Sequence, residues 1–245
     1  MKLIIDSLCK SYKEKNTSDN KEQTIHALRD CSLEIEDRSF AVIAGRSGCG
    51  KTTLLKIIAG LEEADSGMVE FSTKAKIGFM FQDPRLLPWL TVEQNLALAF
   101  PRPENPDEKN VIKQKIQSVL EMVNLADRAV SLPGDLSGGM AQRCALARCL
   151  CRNPELLLLD EPLSSLDAFT RVKLREELEK LRHYLGLTVI LVTHDMEEAV
   201  YFGDRIFLMN DGTIENILPI PLLRPRNFRT VEFQELCKEL EQKFF

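Results

Sequence analysis

Phe40-Ala41-Val42-Ile43-Ala44-Gly45-Arg46-Ser47-Gly48-Cys49-Gly50-Lys51-Thr52 is the stretch that decides the fold of this chain. The apolar run Phe40–Ala44 stops at Gly45, which is the length and texture of a buried strand. From Lys51 to Ala59 apolar residues recur at helical spacing, and Gly60 is a stop. Between strand and helix, Gly45 to Thr52 matches G-x-x-x-x-G-K-[ST]. Glycines there let backbone N–H groups curl into a concave anion site. The following helix aims its positive end at the same anion. Lys51 supplies a charge to the β- and γ-phosphates, and the Thr52 hydroxyl is a ligand for Mg2+. The expected cradle for ATP is therefore Gly45, Arg46, Ser47, Gly48, Cys49, Gly50, Lys51, Thr52 and Thr53. The bland reading is a glycine-rich turn, which the flanking strand and helix argue against. Cys49 reads as a small filler, although a thiol beside a cationic site can be reactive.

Downstream, Leu156-Leu157-Leu158-Leu159-Asp160-Glu161-Pro162 is an apolar strand ending in two acids. Such a strand delivers Asp160 to a sheet edge, where it can hold Mg2+ directly or through water. Glu161 can accept a proton from an attacking water. A solvated strand end also carries acids, and only the phosphate loop gives this pair its meaning.

Leu136-Ser137-Gly138-Gly139-Met140-Ala141-Gln142-Arg143 starts another helix. Ser137 stands where an N-cap belongs, and Gly138 and Gly139 open the first turn to an anion. A capped helix after a loop is the bland reading of the same octet.

The rest of the chain surrounds these sites. Leu3–Leu8, Cys31–Ile35, Val69–Phe71, Ile77–Phe81 and Thr188–Thr193 read as strands, and Lys13–Thr24 as an exposed polar loop. From Asp83 the texture is helical, with helices expected over Val92–Ala99, Asp107–Val123 and Ser137–Cys151. Pro101–Pro106 separates the first two and is excluded from regular structure. Helices at Arg171–Tyr184 and Met196–Tyr201 alternate with strands, which argues for a parallel sheet with crossover helices. Arg205–Met209 and Thr213–Ile217, joined by Asn210-Asp211-Gly212, read as a hairpin. Pro219, Pro221 and Pro225 end regular structure, and a tail helix spans Thr230–Phe244.

Composition excludes several classes. The 245 residues are 44% hydrophobic and 28% charged, as in an ordinary globular protein with a real core. The net charge of −5 argues against nucleic acid as a partner. No apolar run is long enough to cross a bilayer, and the N-terminus meets Asp6 too early for a signal peptide. Seven cysteines without framework spacing fit a reducing compartment. Cys149-x-Cys151 lacks a second ligand pair, and i and i+2 point apart on a helix, so it reads as structural.

With these motifs in this order, the chain resembles the ATP-binding cassette (ABC) ATPases over nearly its whole length. The resemblance implies an α/β fold: a P-loop NTPase (RecA-like) core with a parallel sheet, an N-terminal antiparallel β subdomain and a helical signature subdomain. The core would take about 1–82 and 154–218, the helical subdomain about 83–153, and the tail about 226–245. Gln82 matches the glutamine that senses Mg2+ and the attacking water. Asp160 and Glu161 match the Mg2+ aspartate and the catalytic glutamate, and His194 the switch histidine that contacts the γ-phosphate. Tyr12 is similar to the aromatic that stacks on adenine, and Ser164-Ser165-Leu166-Asp167 to the loop that crosses to a partner subunit. Ser137, Gly138 and Gly139 match the signature, which departs from the usual sequence at Met140. The implied assembly is a head-to-tail homodimer with each ATP between one copy's phosphate loop and the other's signature.

Asp83-Pro84-Arg85-Leu86-Leu87-Pro88-Trp89-Leu90-Thr91-Val92 resembles the corresponding stretch of the nitrate/sulfonate/taurine importer subfamily. Met140 and Leu223-Arg224-Pro225-Arg226 also fit that group, whereas Asn210-Asp211-Gly212-Thr213 lacks its Arg-Pro-Gly element. The resemblance implies a motor subunit on the cytoplasmic face of the cell membrane. Its partners would be a separate permease and, indirectly, an extracytoplasmic solute-binding protein. Leu86, Leu87 and Trp89 form the expected socket for a permease helix, with core packing as the alternative. Competing functions are a non-transport ABC-type ATPase, a small-molecule kinase, a nucleotide-binding regulatory subunit and a nucleotide-binding structural subunit with no turnover. Intact Glu161 and His194 argue against the last.

Overall fold

The computed structural model of the protein describes residues 1–15 and 22–244. In chain order, strands β1 (Leu3–Lys15), β2 (Glu22–Ile35) and β3 (Phe40–Ala44) lead to helix α1 (Lys51–Ile58), then β4 (Ser66–Phe71) and β5 (Ile77–Met80). Helices α2 (Val92–Ala97), α3 (Pro106–Met122) and α4 (Gly138–Leu150) follow, then β6 (Leu156–Asp160) and α5 (Ala168–Leu185). The chain closes with β7 (Thr188–Thr193), α6 (Met196–Phe202), β8 (Arg205–Asn210), β9 (Thr213–Pro219) and α7 (Val231–Phe244). These elements form two compact units, Met1–Lys74 with Thr188–Phe245, and Ala75–Leu187.

In the first unit, β3 pairs in parallel with β7 and with β8, and β8 pairs antiparallel with β9. Every residue of β3 and β7 is buried, as expected of parallel strands covered on both faces. Their register aligns Phe40 with Val189 and Ala44 with Thr193. Both strands therefore end level, and the loops beginning at Gly45 and His194 leave the same carboxyl edge of the sheet. Ligands bind at such edges in open α/β sheets. A separate antiparallel sheet has the order β2-β1-β4. The ladder of β1 with β2 continues through Lys13↔Thr24 and Lys15↔Glu22. The expected loop over Lys13–Thr24 is thus strand at both ends, because main-chain pairing extends a hairpin whose side chains are polar. Residues 16–21 lie outside the described residues.

The tail is tied to α6 by two arginines. Arg226, 9% exposed, donates from Nη1 to the carbonyls of Val200 (2.7 Å), Tyr201 (3.1 Å) and Gly203 (2.6 Å), and from Nε to Leu222 (3.0 Å). A helix leaves its last carbonyls without partners, and a guanidinium fork satisfies several at once. Arg224 pairs with Asp204 at 2.9 Å, and Asp204 accepts from the Phe40 N–H at 2.7 Å. Phe40 and Phe202 stack with ring centroids 4.9 Å apart. Phe233, Cys237 and Leu240, one stripe of α7, are buried.

In the second unit, β5 and β6 pair in parallel from Ile77↔Leu156 to Met80↔Leu159. Thr91 and Gln94 form a capping box on α2, and Asn105 caps α3. Pro106 is the first residue of α3, so the proline-rich separator ends one residue sooner than expected. Proline is suited to the first helical position, where its missing N–H has no partner to lose. Likewise Pro219 closes β9 instead of lying beyond it. No helix among the described residues is long and apolar enough to cross a membrane. Cys149 and Cys151 are buried, and burial pushes both thiols up to about 12. Cys149 Sγ donates to the Phe79 carbonyl at 3.2 Å, so the pair is structural.

Arg226→Ala should strand buried carbonyls at the end of α6 and cost about 2–3 kcal/mol. A lowered thermal midpoint that Arg226→Lys only partly restores is the expected result.

Candidate functional site

The phosphate loop lies in the first unit. Lys51 is 4% exposed, and its Nζ donates to the carbonyls of Gly45 (2.7 Å) and Arg46 (2.9 Å). Among the described residues no carboxylate pairs with it. A buried ammonium held only by dipoles is short of a counter-charge, so this cradle fits an anion. Arg46, Ser47, Gly48 and Thr52 are exposed, which keeps the outer rim open. Gly50 has φ 105°, and a Cβ there would lie 2.2 Å from the Ala27 carbonyl oxygen. The loop is therefore pressed against β2, a contact that only glycine permits. Cys49 is buried behind it. Burial raises its thiol, with Lys51 opposing, which matches the filler reading.

Thr53, on the first turn of α1, lies 3.5 Å from the Tyr12 hydroxyl. That hydroxyl also donates to Glu62, and burial followed by this acid raises its pKa. Lys10 Nζ sits 5.6 Å from the Tyr12 ring centroid. His194 is exposed and directly follows Thr193, the strand residue in register with Ala44.

The acids, the glutamine and the signature lie in the second unit. Asp160 ends β6 and is 5% exposed. Glu161 has φ 44°, a left-handed backbone held by a tight turn in which Ser164 N and Oγ both donate to the Glu161 carbonyl (3.3 and 3.0 Å). Such strain is concentrated where structure over-determines a functional group. Gln82, just beyond β5, donates from Nε2 to Ser164 Oγ at 3.3 Å, so it belongs to the same constellation. Its carbonyl accepts from Gln142 Nε2 at 2.9 Å. Gln142 is 1% exposed, and the sequence reading gave it no role. A polar residue on the buried stripe of α4 was the available signal.

Ser137 caps α4, its Oγ accepting from the Met140 N–H at 3.3 Å. Ser137 and Gly138 are exposed, whereas Gly139 is buried. A Cβ on Gly139 would lie 2.1 Å from Thr170 Cγ2. The second glycine therefore also has a packing reason, the close approach of α4 to α5. Asp167 caps α5 through the N–H groups of Phe169 and Thr170, both at 3.1 Å.

Trp89 is 70% exposed, which removes core packing as the explanation of that aromatic. Leu86 and Leu87 are half-buried. Asn95, fully buried, accepts from the Leu87 N–H (2.8 Å) and donates to the carbonyls of Leu87 (3.2 Å) and Leu90 (3.0 Å). Arg148 holds the carbonyls of Pro84 (2.9 Å) and Arg85 (3.0 Å). The segment is a braced surface, and sequence reasoning missed both braces.

A family model described as ABC transporter matches residues 28–164. This chain belongs to the ABC transporter family. The chain is 45% identical over 204 residues to a Pseudomonas syringae pv. tomato protein named aliphatic sulfonates import ATP-binding protein SsuB 2, covering 82% of this chain and 84% of the relative. A Bacillus subtilis (strain 168) protein named aliphatic sulfonates import ATP-binding protein SsuB is 43% identical over 225 residues, covering 89% and 86%. Among solved structures, the ATP-binding cassette MJ0796, a dimer in a post-hydrolysis state bound to ADP and Pi, aligns with a TM-score of 0.77 and 32% identity. That match covers 90% of this chain and 100% of the other. The ABC ATPase fold expected from the motifs is the one found, and membership makes the chain an ATPase.

Gly139→Ala should clash with Thr170 and cost about 1–3 kcal/mol. Adding Thr170→Ser, which removes the methyl but keeps the hydroxyl on Asp167, should recover most of the loss in a denaturant titration.

Proposed function

We propose that this chain is the ATP-hydrolysing motor of an importer for an aliphatic sulfonate or a similar small solute, such as nitrate or taurine. The observation that carries the reading is the division of the site. Among the described residues, one copy presents a single buried-lysine cradle and a single exposed signature cap, Ser137-Gly138. Two copies arranged head to tail would complete two sites, each with ATP between Gly45–Thr53 of one and Ser137–Gly139 of the other. The dimeric cassette among the structural neighbours supports the pairing of two copies.

In that assembly Lys51 supplies charge to the phosphates, and Tyr12 flanks the base. Thr52, Asp160 and Gln82 offer only oxygen donors, which suits Mg2+. Bound there, Mg2+ would neutralise charge on the phosphate oxygens. Glu161 accepts the proton of the attacking water, Gln82 orients that water, and His194 contacts the γ-phosphate. The left-handed backbone of Glu161 and its ties to Ser164 fix the main chain that carries the carboxylate.

The permease is a separate chain that docks on Leu86, Leu87 and Trp89, and the motor sits at the cytoplasmic face of the membrane. A solute-binding protein outside the cell would supply the solute. An exposed tryptophan on a rigid, buttressed loop is the kind of anchor that loses little entropy on binding. The names of the sulfonate-import relatives support the solute class. A kinase or a non-transport ATPase would have no use for such an anchor.

Glu161→Gln should bind ATP with near-parental affinity, turn over at least about a hundredfold more slowly, and accumulate as a dimer in size-exclusion chromatography with ATP. Hydrolysis at the parental rate would remove Glu161 as the base. Trp89→Ala should keep the parental melting temperature and basal ATPase but fail to co-purify with the permease. Unchanged assembly would exclude the docking surface. Stimulation of the assembled complex by an alkanesulfonate-loaded binding protein, and not by other loaded solutes, identifies the solute class.

A further inference from the structure

His194 is exposed, so packing alone does not fix its imidazole. The residues on either side of it are held in a closed ring of hydrogen bonds. Thr193, 2% exposed, donates its hydroxyl proton to Glu198 Oε2 at 2.7 Å. The same hydroxyl accepts from the Asp195 N–H at 3.0 Å. Asp195 Oδ1 in turn accepts from the Glu198 N–H at 3.2 Å, which caps α6. The ring runs from Glu198 through Thr193 to Asp195 and back to Glu198, and His194 is the residue between its Thr193 and Asp195 members.

The burial of Glu198 needs a reason. It is 3% exposed, and removing a carboxylate from water is costly unless strong partners repay it. A favourable charge at the start of α6 does not require this. Glu197, in the same first turn, is exposed and supplies one, and Asp195 already serves as the cap. What a buried acceptor adds is direction. The Thr193 hydroxyl has one proton. An acceptor that claims it leaves the lone pair aimed at Asp195 and fixes the backbone on the far side of His194.

We propose that Glu198 is a positioning residue for His194, acting through Thr193 to hold the backbone that carries the imidazole. This rests on the reading of His194 as the γ-phosphate contact. A displacement of about 1 Å at a reacting centre can cost a hundredfold in rate, so loosening this ring should be felt in turnover.

The test uses the full chain with Glu198→Ala, Glu198→Gln, Thr193→Val, Thr193→Ser and His194→Ala. Steady-state ATP hydrolysis is measured alongside the titration of His194 by NMR, its signal among the three histidines assigned by its loss in His194→Ala. Glu198→Ala and Thr193→Val should lower kcat at least about tenfold, change KM for ATP by less than about threefold, and shift the His194 titration. Glu198→Gln and Thr193→Ser preserve an acceptor and a hydroxyl, so they should remain within about threefold of the parent. Thr193→Val keeps the side-chain volume and so reads the ring even if Glu198→Ala does not fold. Parental turnover in His194→Ala would refute the role of His194 itself. A severe loss in His194→Ala with parental kcat and an unmoved titration in Glu198→Ala or Thr193→Val would overturn the proposal while leaving His194 in place.

Discussion

The parallel pairing of β3 with β7 is the constraint on which the rest depends. It aligns Ala44 with Thr193 and brings two sequence-distant loops to one edge. Those strands are apolar throughout because both faces are covered, and that burial fixes the register. A one-residue slip would turn every side chain to the opposite face and separate the lysine cradle from the histidine. The chemistry at the edge is therefore set by hydrophobic packing below it.

A second principle is the use of buried polar groups as fasteners for exposed ones. Lys51, Gln142, Asn95, Glu198 and Arg226 are all at most 9% exposed, and each bonds to a nearby loop, turn or helix end. The groups they steady, such as Gln82, Trp89 and His194, face solvent. Under the proposed function these side chains must be open to their ligands, so their precision has to come from behind.

The legibility of the sequence follows this division. The phosphate loop, Asp160-Glu161 and the Ser137 cap were readable because each couples a local motif to a strand or helix end. The strand limits of β3 and β7 were readable because buried parallel strands are unbroken apolar runs. The extension of β1 and β2 was not, since residues such as Lys13 and Thr24 pair through backbone atoms that carry no side-chain signal. Pro106 was misplaced because proline breaks a helix interior but starts a helix well. Gly139 and Gln142 lay within the quoted signature stretch, yet their partners, Thr170 and the Gln82 carbonyl, are distant in sequence. Long-range packing is the information that one sequence carries but does not display.

Helix α4 gathers three of these attachments along a rod of about 20 Å. Ser137 stands at its start, Gln142 grips the Gln82 carbonyl from its middle, and Arg148 near its end holds the main chain that leads to Trp89. The Ser137 cap, the Gln82 loop and the exposed Trp89 consequently share one stiff body. A load applied at the tryptophan would reach the serine as the tilt of a single lever, with few soft joints in which to dissipate.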